Sequence, residues 1–596
     1  MFQSFEVTAR PEQGPPRLKA LRAQMQAAGL NGFVIPRADA HQGEYVAARD
    51  ARLAWLTGFT GSAGFCVTLR DVAGVFIDGR YRTQVKEQVA DVYTPVPWPE
   101  TSMADWLRTQ LPDGGRVGFD PWLHTVDQIK QAEVALEGSG VVLVQSDNLV
   151  DLIWKDQPAP PMAPAKIHPL AFAGESHEDK RARLGKTLSD AKQTAAVITL
   201  PDSICWLLNI RGADIERNPV VHAFAVLHAD GRVDLYSEPT KYDGLNAHLG
   251  SDVNLHAPDA FLPALKALTG PVRIDASTVP QIVADTLGDA AVHGQEPCAL
   301  PKACKNTAEI EGAAEAHLRD GAAMVELLCW LDAQPAGSLT ETQVVSQLEG
   351  IRRRDNGLQD ISFETIAGTG PHGAIMHYRV TNETDATLED GHLLVLDSGG
   401  QYLDGTTDIT RTIAIGSPPP EACAAFTRVL SGMIAMSRLR WPKGLAGSHI
   451  EAIGRMPLWL AGQDFDHGLG HGVGAYLSVH EGPQRLSRVS QVPLEPGMIL
   501  SNEPGYYREG AFGIRIENLL VVQKAPHLEG GDAHRDMLDW RTLAFAPIDR
   551  RLVVPDLLDA QARTWLNAYH AQVATKIGPR VTPAAKQWLD AATAPI

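Results

Sequence analysis

The sequence predicts an α/β chain in which helix–strand modules come first and a mixed α+β region follows. Three observations predict it. Short apolar strands alternate with helix-period segments through about residue 300. A pattern W-L-x-x-[F/I]-x-G occurs at Trp55–Gly61 and again at Trp206–Gly212, each time after an apolar strand. From Ile361 to Val522, strand-like runs separated by glycine-rich turns dominate.

Taken in order, Arg17 to Leu30 reads as a helix, with Leu18, Leu21, Met25 and Leu30 at helical spacing. Strands follow at Gly32–Pro36, Phe65–Leu69 and Gly74–Ile77, and the first Trp segment is read with the strands around it. Prolines at 158, 160, 161, 164 and 169 make a stiff extended linker. The order then restarts: helix Asp179 to Gln193, strand Ala195–Leu200, and the second Trp segment, Ile204 to Gly212. This is the pattern of a duplicated α/β domain.

A third region opens at Thr307 with a helix from Ala308 to Trp330, its apolar stripe formed by Ile310, Ala314, Leu318 and Ala322. The last stretch has a strand-like Thr542–Ala546, a break at Pro555 and an amphipathic helical pattern after Leu557. The expected domains are 1–160, 161–306, 307–535 and a C-terminal extension, 536–596, packed on the third.

Composition narrows the function. The chain has 596 residues, several times the ~150 of one domain. With 44% hydrophobic and 21% charged residues, disorder is excluded as the main state. The net charge of −18 repels phosphate backbones, and there is no basic patch, so nucleic acid is excluded as a partner. Six scattered cysteines without a CxxC suit reduced, buried thiols. There is no signal-peptide pattern and no membrane-length apolar run, so the expectation is a cytoplasmic protein.

Chemistry concentrates in the third region. An apolar strand ends at Asp397, and Gly405 to Ile415 resumes a strand containing Asp408. Their midpoint falls between Tyr402 and Leu403, so a hairpin turning there sets the two aspartates opposite each other. The runs ending at Glu503 and Glu517 have their midpoint at Gly510, in the turn Arg508–Ala511, and a second hairpin joins these two glutamates.

Facing carboxylates repel unless they are protonated or neutralised, and two divalent ions neutralise four of them. His471 lies in His467-Gly-Leu-Gly-His471-Gly-Val-Gly, where alternating glycines let backbones approach closely. One nitrogen with four carboxylates is a hard, oxygen-rich set that favours Mn²⁺, while Zn²⁺ and Co²⁺ also bind by affinity. Singly, an aspartate at a strand end is ordinarily a turn residue and a histidine in a glycine loop a packed one; their conjunction points to metal.

The segments Leu394–Gly399, Asp404–Thr412, His467–Gly474, Glu503–Tyr507 and Gly513–Asn518 resemble the core of the pita-bread metallopeptidases of family M24, with the ligand order Asp, Asp, His, Glu, Glu filled. The resemblance runs over nearly the whole chain to the long, three-domain Xaa-Pro aminopeptidases. It implies two creatinase-like N-terminal α/β domains before a pita-bread domain.

It further implies two divalent metals, with Asp397 on one ion, Asp408 and Glu517 bridging, and His471 and Glu503 completing the other site. Glu503 is the implied proton acceptor, and the implied reaction is attack of a metal-bridging hydroxide on the bond before a penultimate proline. His377, His467 and His480 match histidines that contact the peptide, Arg515 a residue that orients a carboxylate ligand, and Arg80 an N-domain arginine that reaches a substrate. For Arg80, an ordinary turn arginine is an equal reading. The implied substrates are peptides with proline at position two, and the implied assembly is a homodimer. Arg379-Val380-Thr381 departs from the family pattern. A prolidase-type dipeptidase of the same fold, or a pita-bread binding protein without catalysis, are the competing readings.

Overall fold

The computed structural model describes residues 1–355 and 357–596. The chain divides into two compact units, Thr8–Ala299 and Met1–Val7 with Leu300–Ile596. The first seven residues, expected in the first domain, thus belong to the C-terminal unit.

The Thr8–Ala299 unit contains two six-stranded sheets of one topology. The first runs Thr94–Pro97, Ala73–Ile77, Phe65–Leu69, Gly32–Pro36, Gly115–Phe119, Val141–Gln145. The second runs Val253–His256, Val233–Tyr236, Phe224–His228, Ala195–Ile198, Val272–Ile274, Ala291–His293. Corresponding neighbours pair in the same sense: antiparallel on one side of the central strand, then parallel to the edge, and parallel throughout on the other side.

The Trp pattern belongs to this repeat, but as helix rather than strand. Arg52–Thr57 and Pro201–Leu208 are helices, ended by Gly58 (φ 89°) and Asn209 (φ 50°) at equivalent positions. Both are residue types that enter the left-handed region at low cost, so the pattern encodes a helix stop. Short apolar runs do not separate the two states by periodicity, and burial of Leu53, Leu56, Ile204 and Leu207 on the sheets decides for helix.

In the other unit, a three-stranded antiparallel sheet places Leu393–Ser398 between Ile366–Thr369 and Ile409–Ala414. A six-stranded sheet runs Trp441–Pro442, Met537–Thr542, Asn518–Lys524, Ile499–Asn502, Gly470–Gly472, Glu481–Leu486. The strand expected at Thr542–Ala546 therefore ends where it was to begin. The helix Thr307–Asp332 buries Ala313, Ala316, His317, Asp320 and Met324; of the expected stripe, Ala322 is buried, while Ile310, Ala314 and Leu318 are half-buried. On the buried face Asp320 is neutralised by Arg352 (Nε–Oδ1 2.7 Å) and accepts a hydrogen bond from Tyr402 OH (2.8 Å). The terminal helices Ala560–Ile577 and Pro583–Ala592 place Leu566, Tyr569, Val573 and Leu589 in the same core as the helix Pro420–Ser437. All six cysteines are free thiols. Among the described residues no helix is long and apolar enough to cross a membrane.

Candidate metal centre

Two hairpins bring the acidic side chains together. In the first, Asp397 pairs with Thr410 and Tyr402 with Gly405, so the turn centres one residue later than the sequence midpoint. Asp408 is consequently diagonal to Asp397 rather than opposite. A one-residue shift of the turn moves the register by two, which keeps both aspartates on one face. In the second, Gly505 pairs with Arg515 and Asn502 with Asn518, one register about Gly510 that sets Glu503 against Glu517 in the gap between the paired segments. The gap frees both residues from the ladder: Glu503 N–H donates to Leu469 O (2.9 Å) and Glu517 N–H to Thr410 O (3.1 Å).

His471 arrives on Gly470–Gly472, which pairs with Ile499–Asn502 and Glu481–Leu486. A Cβ on Gly470 would lie 1.9 Å from Ser501 O, and one on Gly472 2.2 Å from Glu481 O, so this strand admits only glycine on either side of His471. The imidazole Nδ1 bonds Gly472 O (2.9 Å), which turns Nε2 toward Glu503 Oε1 (3.4 Å) and Asp408 Oδ2 (3.5 Å). Donor atoms of Asp408, His471 and Glu517 lie within 4.8 Å of one another.

Burial and mutual repulsion act together on the carboxylates. Burial, then Asp397 and Glu503, hold the Asp408 carboxyl well above the usual range; burial, then Asp408, Asp397 and Glu503, do the same to Glu517. Glu503 is also raised, by burial first, against the opposing pull of His471 and Arg515. Asp397 Oδ1 and Glu517 Oε1 are buried without a hydrogen-bond partner. Orphaned carboxyl oxygens beside an imidazole nitrogen are the donor set a divalent cation satisfies, so the residues fit a metal site.

A proton-linkage prediction follows. A carboxyl whose folded pKa exceeds its unfolded value loses stabilising power as pH rises from about 4 through the folded pKa. Metal-free protein therefore loses stability from this cluster as pH rises. The Tm increment on adding Mn²⁺ is expected to grow from pH 5 to pH 8, as scanning calorimetry of both forms will show; an increment that shrinks over that range contradicts the assignment.

Around the cluster, Arg515 Nη2 donates to Asp397 Oδ2 (2.7 Å) and Nη1 to Tyr507 OH (2.8 Å). His467 Nδ1 bonds Gly468 O (2.7 Å) and Nε2 bonds Tyr507 OH (2.9 Å). Both ring nitrogens are thus engaged within the chain. The ring of His480 meets His471 edge-on at 4.3 Å. His377 lies in the turn after Gly370–Ala374, a short helix that packs on Phe512–Arg515 and Leu393–Ser398. Arg80 is in the Thr8–Ala299 unit, where Asp78 accepts from its Nε (3.0 Å) and Nη2 (2.7 Å).

Sequence reasoning missed Thr410, which donates to Glu517 Oε2 (2.8 Å), and Ser501, which donates to Glu503 Oε1 (3.1 Å). The pairing rule finds Thr410 once the register is right, because it faces Asp397. It also missed Arg411, fully buried, whose guanidinium donates to Glu517 O (2.5 Å), Ala546 O (2.8 Å) and Tyr569 OH (2.8 Å), tying the C-terminal segment to the back of a ligand strand.

A carboxylate–histidine cluster fitted for metal, on paired antiparallel strands of the C-terminal unit, in a chain whose other unit repeats one six-stranded sheet, defines a pita-bread metallopeptidase. Family models agree along the chain: Creatinase/Prolidase N-terminal domain at 17–153 and again at 156–309, Metallopeptidase family M24 at 311–524, and C-terminal region of peptidase_M24 at 536–596. Aminopeptidase P2 of Arabidopsis thaliana is 37% identical, covering 95% of this chain and 86% of its own. A probable Xaa-Pro aminopeptidase P of Neosartorya fischeri is 37% identical over 97% of this chain and 92% of its own. The crystal structure of X-prolyl aminopeptidase from Caenorhabditis elegans, described as a cytosolic enzyme with a di-nuclear active site, superposes with a TM-score of 0.93 at 31% identity, covering 98% of this chain and 99% of that one. The chain belongs to metallopeptidase family M24, within its three-domain Xaa-Pro aminopeptidase group.

Proposed function

We propose that this enzyme is a two-metal aminopeptidase that removes the first residue of peptides with proline at position two. The convergence of Asp397, Asp408, His471, Glu503 and Glu517, with two buried carboxylate oxygens unpartnered, carries the reading. In this reading Asp397, Asp408, His471, Glu503 and Glu517 would hold the ions, Asp397 toward one, His471 and Glu503 toward the other, and Asp408 and Glu517 would serve both, with manganese the metal favoured by the donor set and zinc or cobalt the alternatives. The ions, when bound, supply Lewis acidity and an acidified water.

The chain's own residues do the rest. Ser501 holds Glu503 Oε1, which leaves Oε2 to take a proton and return it to the leaving nitrogen. His480 and His377 contact the peptide and stabilise developing negative charge. His467 is the third such contact, and its Nε2 also bonds Tyr507 OH, which accepts from Arg515. Arg80 remains a substrate contact only in this reading. A penultimate proline has no N–H, so a site that offers no acceptor there selects it.

A prolidase reading is weaker, because the prolidase from Pyrococcus horikoshii matches 62% of this chain at 22% identity and a TM-score of 0.50, a likeness of fold alone. A non-catalytic reading is disfavoured by the filled ligand set. Cytoplasmic residence and a homodimer complete the proposal, and light scattering tests the homodimer.

The deciding experiment is release of arginine from Arg-Pro-Pro with Mn²⁺, compared with Arg-Ala-Pro and with Xaa-Pro dipeptides. The expected result is cleavage of the tripeptide, at least about 100-fold better in kcat/KM than the alanine analogue. Exclusive dipeptide cleavage transfers the protein to the prolidase reading, and inactivity with every divalent ion overturns catalysis.

A further inference from the structure

The first seven residues lie along the part of the catalytic unit that carries His377. Gln3 is buried and pairs with Thr365 in both directions: its Nε2 donates to Thr365 O (3.2 Å) and its Oε1 accepts from Thr365 N–H (2.8 Å). The next residue, Ile366, is the register partner of Asp397. Phe2 N–H and Gln3 N–H donate to the buried Glu349 (2.7 and 3.3 Å). On the far side of His377, Arg379 forks onto the backbone of the same segment, Nη1 to Glu6 O and Nη2 to Ser4 O, each 2.9 Å, while its Nε pairs with Glu364. Asn382 N–H donates to Phe5 O (2.8 Å), and the Phe5 ring packs on the core cluster that includes Tyr378 and Val380.

From inside, the fully buried Glu341 holds the same loop, accepting from Thr369 N–H (2.8 Å), His372 Nδ1 (2.9 Å), Tyr378 OH (2.9 Å) and Ala386 N–H (3.2 Å). The turn bearing His377 is therefore clamped between an internal carboxylate and an external strap. Arg379 is the residue that grips the strap.

We infer that Met1–Val7 is a positioning strap for the catalytic site: through Gln3 it braces the strand paired with Asp397, and through Arg379 it fixes the turn that presents His377. The inference rests on the proposed roles of Asp397 and His377. Side-chain hydrogen bonds to strap backbone give it a specific geometry. Lysine at 379 keeps the charge for Glu364 but cannot fork onto two carbonyls.

The test uses the full chain with Gln3→Ala and, separately, Arg379→Lys. Hydrogen exchange of metal-free protein is read over residues 365–369 and 374–382, Mn²⁺ affinity by calorimetry, and kcat/KM on Arg-Pro-Pro. Expected are at least tenfold faster exchange in those two segments for Gln3→Ala and in 374–382 for Arg379→Lys, Mn²⁺ binding weakened severalfold for Gln3→Ala, and kcat/KM lowered five- to tenfold for both, with the unfolding midpoint little changed. Unchanged exchange in those segments overturns the strap, and so does a fall in midpoint with exchange raised everywhere alike. Should the parent protein prove inactive on proline peptides, the functional reading falls, while exchange and metal affinity still decide whether the strap braces the site.

Discussion

Glu503→Gln is expected to lower kcat by about 10²–10⁴-fold, the usual cost of losing a positioned proton acceptor, while raising the stability of the metal-free protein. The two effects have one origin. Glutamine keeps the shape and one carbonyl oxygen, but it neither accepts a proton nor carries charge. In the native cluster Glu503 raises the carboxyls of Asp408 and Glu517 by repulsion, so its neutralisation relieves both. Kinetics with metal content measured on the same sample, beside calorimetry of the metal-free form, check the pair of outcomes. A variant that keeps most of its activity removes Glu503 from the proton path. One that is inactive and also less stable without metal contradicts the electrostatic account of the cluster.

The second large effect is expected at Glu481, next to His480. This carboxylate is 2% exposed and sits between two buried ammonium groups, Lys302 (3.1 Å) and Lys305. Glu481→Gln leaves both cations in the interior with a neutral partner. Breaking such a buried pair costs about 3–5 kcal/mol, and the strand Glu481–Leu486, which pairs with the His471 strand, is the element released. Denaturant unfolding of Glu481→Gln, of Lys302→Met and of the double variant, beside the parent, gives the cycle; in the double variant Lys302→Met is expected to restore part of the loss, because it removes one stranded charge. A loss below about 1 kcal/mol sinks the idea that this triad anchors the His480 segment.

Much of the site was legible because its logic is local. The Gly510 midpoint fixed the Glu503–Glu517 register correctly, since a hairpin pairs residues symmetrically about its turn. The Asp397–Asp408 hairpin was off by one residue at the turn, Leu403-Asp404 rather than Tyr402-Leu403, yet strand period two kept both side chains on the same face. The duplicated domain showed in seven residues around each tryptophan, although the segments are helices: the pattern preserved the helix stop at Gly58 and Asn209, and short apolar runs conceal the difference between helix and strand.

By itself, then, the sequence determined which acidic side chains and which histidine would converge and the faces on which they stand, because spacing along a strand and symmetry about a turn act between neighbours in the chain. Only the tertiary structure decided what surrounds them: Tyr507 between His467 and Arg515, Arg411 reaching from Glu517 to Tyr569, the lysines on Glu481, and the first seven residues on Thr365 and Arg379. These partners are separated by up to hundreds of residues. Buried charge finds its compensation wherever packing of the whole unit delivers an opposite charge or a carbonyl, and no periodicity in the chain records that choice.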